Sequence, residues 1–173
     1  AGEITLPPPR SQSPGRAARS KPQPVLLDET PIMGPVSALG PIEIERVRRT
    51  TLEPLFNSLV EQYHYLGYEQ PVGEHLKYLV SAGGRPLGCL GWSSAPRHLG
   101  ARDRFIGWDA AARRRNIHLL AYNTRYLILP WVRVEHLASH LLGRVARRIA
   151  ADWEQLYAHP VYLLETFVDP TRF

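Results

Sequence analysis

The sequence predicts an α/β domain in which helices flank a mixed β-sheet. Three features indicate this fold class: apolar residues at helical spacing over residues 50–67, two β-type runs joined by a pair of glycines, and a strand–helix–strand unit near the C-terminal end. The glycine-joined runs predict an antiparallel hairpin, because so short a connection cannot join parallel strands. The C-terminal unit is long enough for a right-handed parallel crossover. The sheet is therefore expected to contain both kinds of pairing.

The first predicted elements are a helix over residues 50–67 and a β-hairpin. Thr50 or Thr51 can cap the start of the helix, and Gly67 can end it in the left-handed conformation. Residues 76–82 and 86–92 are β-type runs, and Gly83 and Gly84 supply a two-residue turn between them. This half of the domain is therefore expected to be helix, strand, strand.

The later elements are a helix, a strand, a long helix and a last strand. Asp109 is a predicted N-cap for a helix that runs toward Leu120. Residues 126–131 are a predicted strand that Pro130 interrupts, residues 135–158 a long helix with one apolar stripe, and residues 160–168 a final strand. This order of elements resembles that of the GNAT acyltransferases, in which two parallel strands splay apart beside a long helix. The resemblance implies a cleft between the strands that flank residues 135–158.

The prolines divide the chain into a tail and a folded part. Nine of the 16 prolines fall within the first 41 residues. Proline removes backbone donors and the segment has few aromatic residues, so residues 1–24 are expected to be disordered. Residues 25–41 are a predicted extended connector in which Val25, Leu26 and Leu27 dock on the domain. The domain itself is expected to span residues 42–173.

The positive charge of the predicted domain is concentrated in one segment. From residue 42 onward there are 17 basic and 13 acidic residues, a net charge of +4. Residues 97–115 alone carry a net +4, because six arginines accompany only Asp103 and Asp109. Guanidinium groups match phosphate oxygens, so the segment predicts nucleic-acid binding; the alternative is a general arginine bias, since the chain has 19 arginines and two lysines. The predicted phosphate-binding residues are Arg97, Arg102, Arg104, Arg113, Arg114 and Arg115.

The sequence predicts neither a cofactor nor a metal. Acyltransferases of the GNAT class bind the pyrophosphate of coenzyme A with a glycine-rich turn, but residues 132–138 contain no glycine and Glu135 is negative there. His136 and His140 share a helix face, yet the order of a His-Glu-x-x-His zinc motif is missing. Cys89 is the single cysteine, which excludes a cysteine-rich zinc site and fits a reducing compartment.

Polar residues near the predicted cleft are the candidates for an enzymatic site. A carboxylate within a buried parallel strand is costly unless it is paired or faces a cleft. Glu165 is such a residue, and its available partners are Arg125, Arg133 and His140. A structural ion pair and a functional cleft are both open interpretations. The residues expected to line the cleft are Asn123, Arg125, His140, Glu165 and Asp169.

Six blocks of residues occur in an order that is hard to obtain by chance. They are residues 63–67 (YHYLG), 85–96 (RPLGCLGWSSAP), 101–109 (ARDRFIGWD), 123–133 (NTRYLILPWVR), 137–140 (LASH) and 164–170 (LETFVDP). Together they closely resemble the DruA family of Druantia anti-phage proteins, whose relatives also occur with transposases. The resemblance implies a biological context and no particular reaction. It also implies a further helix and strand after Phe173, so the domain is expected to be C-terminally truncated.

The expected function is that of a cytoplasmic protein of anti-phage defence or mobile elements that binds nucleic acid, DNA in preference to RNA. The first alternative is an enzyme, a transferase or nuclease, that uses the cleft residues. The second is a subunit that recruits a helicase or transposase partner. No run of about eighteen apolar residues occurs, so no membrane-spanning helix is expected.

Overall fold

The structure is a computed structural model that describes residues 21–169. Most of the tail predicted to be disordered, and the continuation expected after Phe173, lie outside the described residues. In chain order the strands are β1 (Ile32–Gly34), β2 (Ile42–Arg46), β3 (His75–Ala82), β4 (Arg85–Ser94), β5 (Leu120–Ile128), β6 (Val132–Val134) and β7 (Leu163–Thr166). The helices are α1 (Glu53–Tyr63), α2 (Gly100–Ile106), α3 (Ala110–Asn116), α4 (Leu137–Ala146) and α5 (Ile149–Tyr157).

A five-stranded mixed sheet forms the centre of the domain, in the order β2-β3-β4-β5-β7. The first four strands are antiparallel to their neighbours, and β7 pairs with β5 in parallel. The predicted glycine turn joins β3 to β4, and both of its glycines have positive φ, which a side chain would disfavour. The predicted mixed sheet and its parallel crossover are therefore confirmed.

Helices cover both faces of this sheet. Side chains alternate along a strand, so neighbours in β3 point to opposite faces. Lys77 contacts Glu53 of α1, whereas Tyr78 donates a hydrogen bond to Asp152 of α5. Helix α1 therefore lies on one face and α5 on the other. The apolar core includes Leu137, Val145, Ile149 and Trp153 from the α4–α5 side and Phe56, Leu59 and Val60 from α1.

The long helix predicted over residues 135–158 is two helices, with a break at Arg147 and Arg148. Arg148 donates from Nη1 to the Ile44 carbonyl of β2 and from Nε to Asp152. These bonds tie the break to the edge of the sheet. Val145 and Ile149 are both buried and stand four residues apart across the break, so the apolar stripe continues through it.

The strand predicted over residues 126–131 is also wrong in its limits. Strand β5 begins at Leu120, so Asn123 and Arg125 lie inside the strand rather than before it. The polar run is accommodated by a β-bulge: Gly91 pairs with Arg125 and Trp92 with Asn123, which leaves Thr124 as an extra residue. Asn123 stabilises the bulge by donating to the carbonyls of Gly91 and Arg125.

The connector over residues 25–41 lies against the domain and contributes a strand of its own. Strand β1 pairs in parallel with β6, which makes a separate two-stranded sheet. The Val25 amide donates to Ser58 of α1, and Leu27 packs against the core while Leu26 is exposed. Strands β1, β2 and β6 and helix α2 were not predicted from the sequence. Among residues 21–169, none of the helices has the length and apolar character needed to cross a membrane.

Candidate nucleic-acid interface

The arginine-rich segment forms two short helices between β4 and β5. Asp109 caps α3 as predicted, because its side chain accepts a hydrogen bond from the Ala112 amide. Gly107 ends α2 with a φ of 81°, a left-handed conformation that glycine adopts without strain. Three successive arginines occupy the last turn of α3, where positive charge is favourable at the C-terminal end of the helix.

Arg102 is buried and belongs to the interior of this segment. Its Nε and Nη2 donate to Asp103, and its Nη1 donates to the Pro96 carbonyl and to Glu165. Only 4% of the side chain is exposed. A guanidinium group held in this way does not present itself to a phosphate, so the structure corrects the inclusion of Arg102 among the phosphate-binding residues.

Arg97, Arg113 and Arg114 converge on one cleft of about 340 Å³, together with His98 and Ile117. Arg97 and Arg114 are exposed, whereas Arg113 is half-buried and donates to Asp103 at 2.8 Å. The Arg113 hydrogen bond is the largest influence that holds the pKa of Asp103 below its usual range, against the opposing effect of burial. The fold therefore collects arginines that the sequence separates by up to seventeen positions.

Arg104 and Arg115 are also exposed on α2 and α3. The carboxylates of Asp103 and Glu165 offset Arg102 and Arg113, and Asp109 is the remaining acidic residue of the segment. The pKa of Asp109 is lowered first by the Ala112 amide, and the charges of Arg115 and Arg114 contribute to this. The segment thus exposes four guanidinium groups and one carboxylate, and its surface is positive.

The expected cleft residues do not form one cluster. Glu165 pairs with Arg102 at 3.2 Å, not with any of the partners expected from the sequence. The side-chain amide of Asn123 is bound to backbone carbonyls of the bulge. His140 is exposed on α4, and Asp169 is half-buried just after β7. Of these five residues, Arg125 lines the cavity that is described next, together with the neighbouring Thr124.

That cavity lies between the sheet, α1 and the loop that joins α1 to β3, and its volume is about 290 Å³. The side chains that line it include Phe56, Tyr68, Gln70, Ser93, Tyr122 and Arg125. Arg125 donates from Nε to the Gly67 carbonyl and from Nη1 to the Thr124 carbonyl. Burial and the charge of Arg125 lower the pKa of the neighbouring His64 to about 4, so His64 is neutral at pH 7.

Lys77 stands at the floor of the same cavity and was not predicted as a functional residue. Its ammonium group donates to Glu53, Asn57 and the Tyr68 hydroxyl at 2.7–2.9 Å, and only 1% of its side chain is exposed. Burial lowers the pKa of Lys77, although Glu53 opposes the change. The available signal was a lysine within the apolar run 76–82, in a chain that has only two lysines.

No three His, Cys, Asp or Glu side chains converge on a possible metal position anywhere in residues 21–169. His136 adopts a left-handed conformation with φ 56° immediately before α4, and both His136 and His140 are exposed. The pair lies on the outer surface, away from the cavity that Arg125 lines.

Comparison with known proteins identifies the family. The family model described as Druantia protein DruA matches residues 12–173, and the chain therefore belongs to the DruA family. None of the curated proteins matches the chain in sequence.

Two solved structures of an aminoglycoside N-acetyltransferase, AAC(6')-Iy, are similar to the chain. One is a complex with the bisubstrate analog CoA-S-monomethyl-acetylneamine, and the other is a complex with CoA. The first has a TM-score of 0.48 at 15% identity, over 76% of this chain and 82% of that chain. The second has a TM-score of 0.49 at 15% identity, over 76% of this chain and 79% of that chain.

Proposed function

We propose that this DruA-family chain binds nucleic acid through the cleft between Arg97, Arg113 and Arg114. The observation that carries the proposal is the convergence of exposed guanidinium groups on one cleft, with Arg104 and Arg115 on the same two short helices. Guanidinium groups bind phosphate oxygens through two parallel hydrogen bonds. Several such groups within one segment suit a polymer of phosphates better than a single small anion.

The buried ion pairs support this assignment because they leave the outer arginines available. Arg102 and Arg113 are engaged with Asp103 and Glu165. Within residues 21–169, no carboxylate oxygen lies within 4 Å of the guanidinium nitrogens of Arg97 or Arg114. The binding surface is therefore expected to comprise Arg97, Arg104, Arg114 and Arg115, with Arg113 at the base of the cleft.

The experiment is a titration of labelled double-stranded and single-stranded oligonucleotides, followed by fluorescence anisotropy at several salt concentrations. Three to four phosphate contacts predict a loss of affinity of about 40- to 150-fold between about 50 and 200 mM salt. Replacing Arg97 and Arg114 together by alanine is expected to reduce the slope of log affinity against log salt by about 2. We expect DNA to bind more tightly than RNA of the same length.

The matched control replaces Arg133 and Arg147, which are exposed on β6 and after α4, by alanine. It removes the same charge from other surfaces, so the salt slope is expected to stay the same. A slope that falls equally in both double variants would show a response to net charge alone and contradict the assignment. So would binding that does not depend on salt.

Family membership supports a role in Druantia-type defence, and we propose that the chain acts there beside a protein partner such as a helicase or transposase. We expect the protein to work in the cytoplasm, where its single buried cysteine stays reduced. Co-purification with neighbouring gene products, with and without residues 1–20, tests the partner. Loss of a partner on removal of these residues would assign recruitment to the tail.

A further inference from the structure

We propose that the cavity lined by Arg125 and Ser93 is a binding site for a single nucleotide, with the phosphate at Arg125 and the base beside Tyr68 and Tyr122. This inference deepens the proposed nucleic-acid function and rests on it in part, because the same pocket can take a free nucleotide or one nucleotide of a bound strand. Its evidence comes from a different part of the molecule than the arginine cleft.

The charge of Arg125 favours an anionic ligand. Two backbone carbonyls hold the guanidinium group in place. Glu69 also lines the cavity, but within residues 21–169 no carboxylate forms an ion pair with Arg125. A half-buried cation without a countercharge is costly, and an anion that enters the cavity offsets this cost. Neutral His64 adds no charge to the site and no counterion for Arg125.

Lys77 is more buried than Arg125, but it is not the cation that an anionic ligand would bind. All three of its protons are donated, to Glu53, Asn57 and Tyr68. The bond to Tyr68 fixes the position of the tyrosine, whose hydroxyl in turn donates to Gln70. Lys77 therefore positions the loop that forms one wall of the cavity, and Arg125 is the cation that remains for a ligand.

Ser93 provides an independent indication that something polar binds here. Its side-chain oxygen is buried and has no hydrogen-bond partner among the described residues, and the residue is 5% exposed. Ser93 pairs with His75 on one side and Tyr122 on the other, so it lies on the same sheet face as Gly91 and Lys77. That face is the floor of the cavity. An unsatisfied buried hydroxyl destabilises the fold, and a ligand that accepts or donates a hydrogen bond here would offset that cost.

The shape of the cavity suits one planar ring with a phosphate. Gly91 allows β4 and β5 to approach closely at the floor, since a Cβ there would lie 2.8 Å from Thr124 Oγ1 and 3.7 Å from the Phe56 ring. The volume of about 290 Å³ is at the small end of the range for ligand pockets, so the cavity has room for one nucleotide but not for several. Aromatic walls with a few polar groups are the usual surroundings of a base taken out of a stack.

The position of the cavity connects it with the proposed interface. Ser93 and Ser94 line the cavity at the end of β4, and Arg97 follows three residues later at the arginine cleft. A strand that crosses the arginine cleft thus passes near the end of β4, where one nucleotide can enter the cavity. In this arrangement the arginine cleft binds the phosphate backbone of the strand, and the cavity binds one of its nucleotides.

The first experiment measures binding of thymidine 5′-monophosphate, thymidine and inorganic phosphate to the full chain, by chemical-shift perturbation and calorimetry. We expect the monophosphate to bind and to shift the amides of Ser93 and Tyr122. Thymidine and phosphate alone should bind at least about tenfold more weakly, because each lacks half of the contacts. The absence of monophosphate binding would overturn the inference.

The second experiment compares Arg125→Gln and Ser93→Ala with the control Arg133→Gln, which removes an exposed arginine elsewhere. We expect about tenfold weaker monophosphate binding in the first two variants and no change in the control. Ser93→Ala should also unfold no more easily than the parent, because it removes an unsatisfied group. If Ser93→Ala binds the monophosphate as tightly as the parent, or is destabilised, the hydroxyl has a structural role and the inference fails.

Oligonucleotide binding separates the two proposals. A chain that binds the monophosphate but no oligonucleotide would reject the arginine interface and leave the cavity site standing. A chain that binds oligonucleotides through Arg97 and Arg114 but no monophosphate would do the reverse.

Discussion

The ammonium group of Lys77 lies 2.7 Å from Glu53, and that of Lys21 lies 2.7 Å from Glu61, yet the two ion pairs have opposite surroundings. The Lys77 side chain is 1% exposed, whereas the Lys21 side chain is 85% exposed. Water and salt screen the outer pair, while the inner pair is partly withdrawn from both. The two ion pairs have the same distance, but the inner pair is expected to contribute more to the stability of the fold than the outer pair.

Replacing Lys77 by methionine is expected to lower the free energy of unfolding by about 3 kcal/mol, because Glu53 loses its countercharge in a partly buried site. Urea denaturation monitored by tryptophan fluorescence measures this change. Lys21→Met is the matched control and should leave the unfolding midpoint unchanged. Equal effects of the two substitutions would contradict the distinction.

The free energy of unfolding is expected to decrease as the pH falls from about 6.5 to about 4 because of His64. Burial and the charge of Arg125 lower the pKa of His64 to about 4 in the folded chain. Over this pH range the unfolded chain therefore binds a proton at His64 that the folded chain does not bind. Protonation would also remove the bond that the Leu66 amide donates to His64 Nδ1.

The measurement for His64 is a series of urea denaturation curves across this pH range. His64→Gln should reduce the dependence, although His75, whose pKa burial also lowers, still contributes in the same direction. His140→Gln is the control for the loss of an exposed imidazole. A parent protein whose stability stays constant from pH 6.5 to pH 4 would show that His64 does not carry this effect.

Replacing Gly88 by alanine is expected to destabilise the sheet by about 1–3 kcal/mol. A Cβ at this position would lie 2.3 Å from the Leu127 carbonyl oxygen, and a backbone atom in a paired strand cannot move aside cheaply. Gly143→Ala is the opposite case, because its Cβ would approach only Arg147 at 3.7 Å within α4. That substitution should stabilise the protein by about 0.5–1 kcal/mol. Thermal unfolding of both variants tests the difference in sign.

Replacing Arg102 by methionine is expected to release β7 from the domain before the rest of the sheet opens. Glu165 of β7 would lose its cationic partner, and β7 pairs only with β5 among the described strands. Hydrogen exchange of backbone amides measures the effect: protection should fall in β7 and persist in β3 and β4. Arg104→Met, two residues away and exposed, should leave the exchange pattern unchanged.

Some local elements of this fold were predictable because their signals are local, but the caps of the first helix were not. Helix α1 has Leu52 at its N-cap, not Thr50 or Thr51, and its C-cap is His64, before Gly67. The turn at Gly83 and Gly84 depends on two adjacent residues, and the cap at Asp109 depends on an amide three residues later. The break between α4 and α5 was not predictable in this way. Arg148, at the break, donates a hydrogen bond to the carbonyl of Ile44, which is more than one hundred positions away in the chain.

The positive charge of residues 97–115 could be predicted from the sequence, but which of the arginines are exposed could not. A sequence gives equal weight to all six arginines of residues 97–115, whereas the fold buries Arg102 against Glu165, 63 positions away. The β-bulge at Thr124 lies where β5 pairs with β4 at Gly91. Whether a polar run such as residues 122–125 belongs to a strand depends on tertiary contacts of this kind, which the sequence does not show. A lysine within an apolar strand is unusual, so Lys77 could be noticed in the sequence. Its role could not be predicted, because it depends on the positions of its partners Glu53, Asn57 and Tyr68.

The arginines of residues 97–115 include a buried, ion-paired residue and several exposed ones, and this difference determines which positions can change. Asp103 of α2 pairs with the buried Arg102 and with Arg113 of α3, so the outward-facing positions are not needed to keep the two helices folded. Substitutions at Arg97, Arg104, Arg114 and Arg115 are therefore expected to change the charge of this surface without a loss of stability, whatever it binds. The outer surface of the segment can thus change in sequence while the framework of buried ion pairs beneath it stays the same.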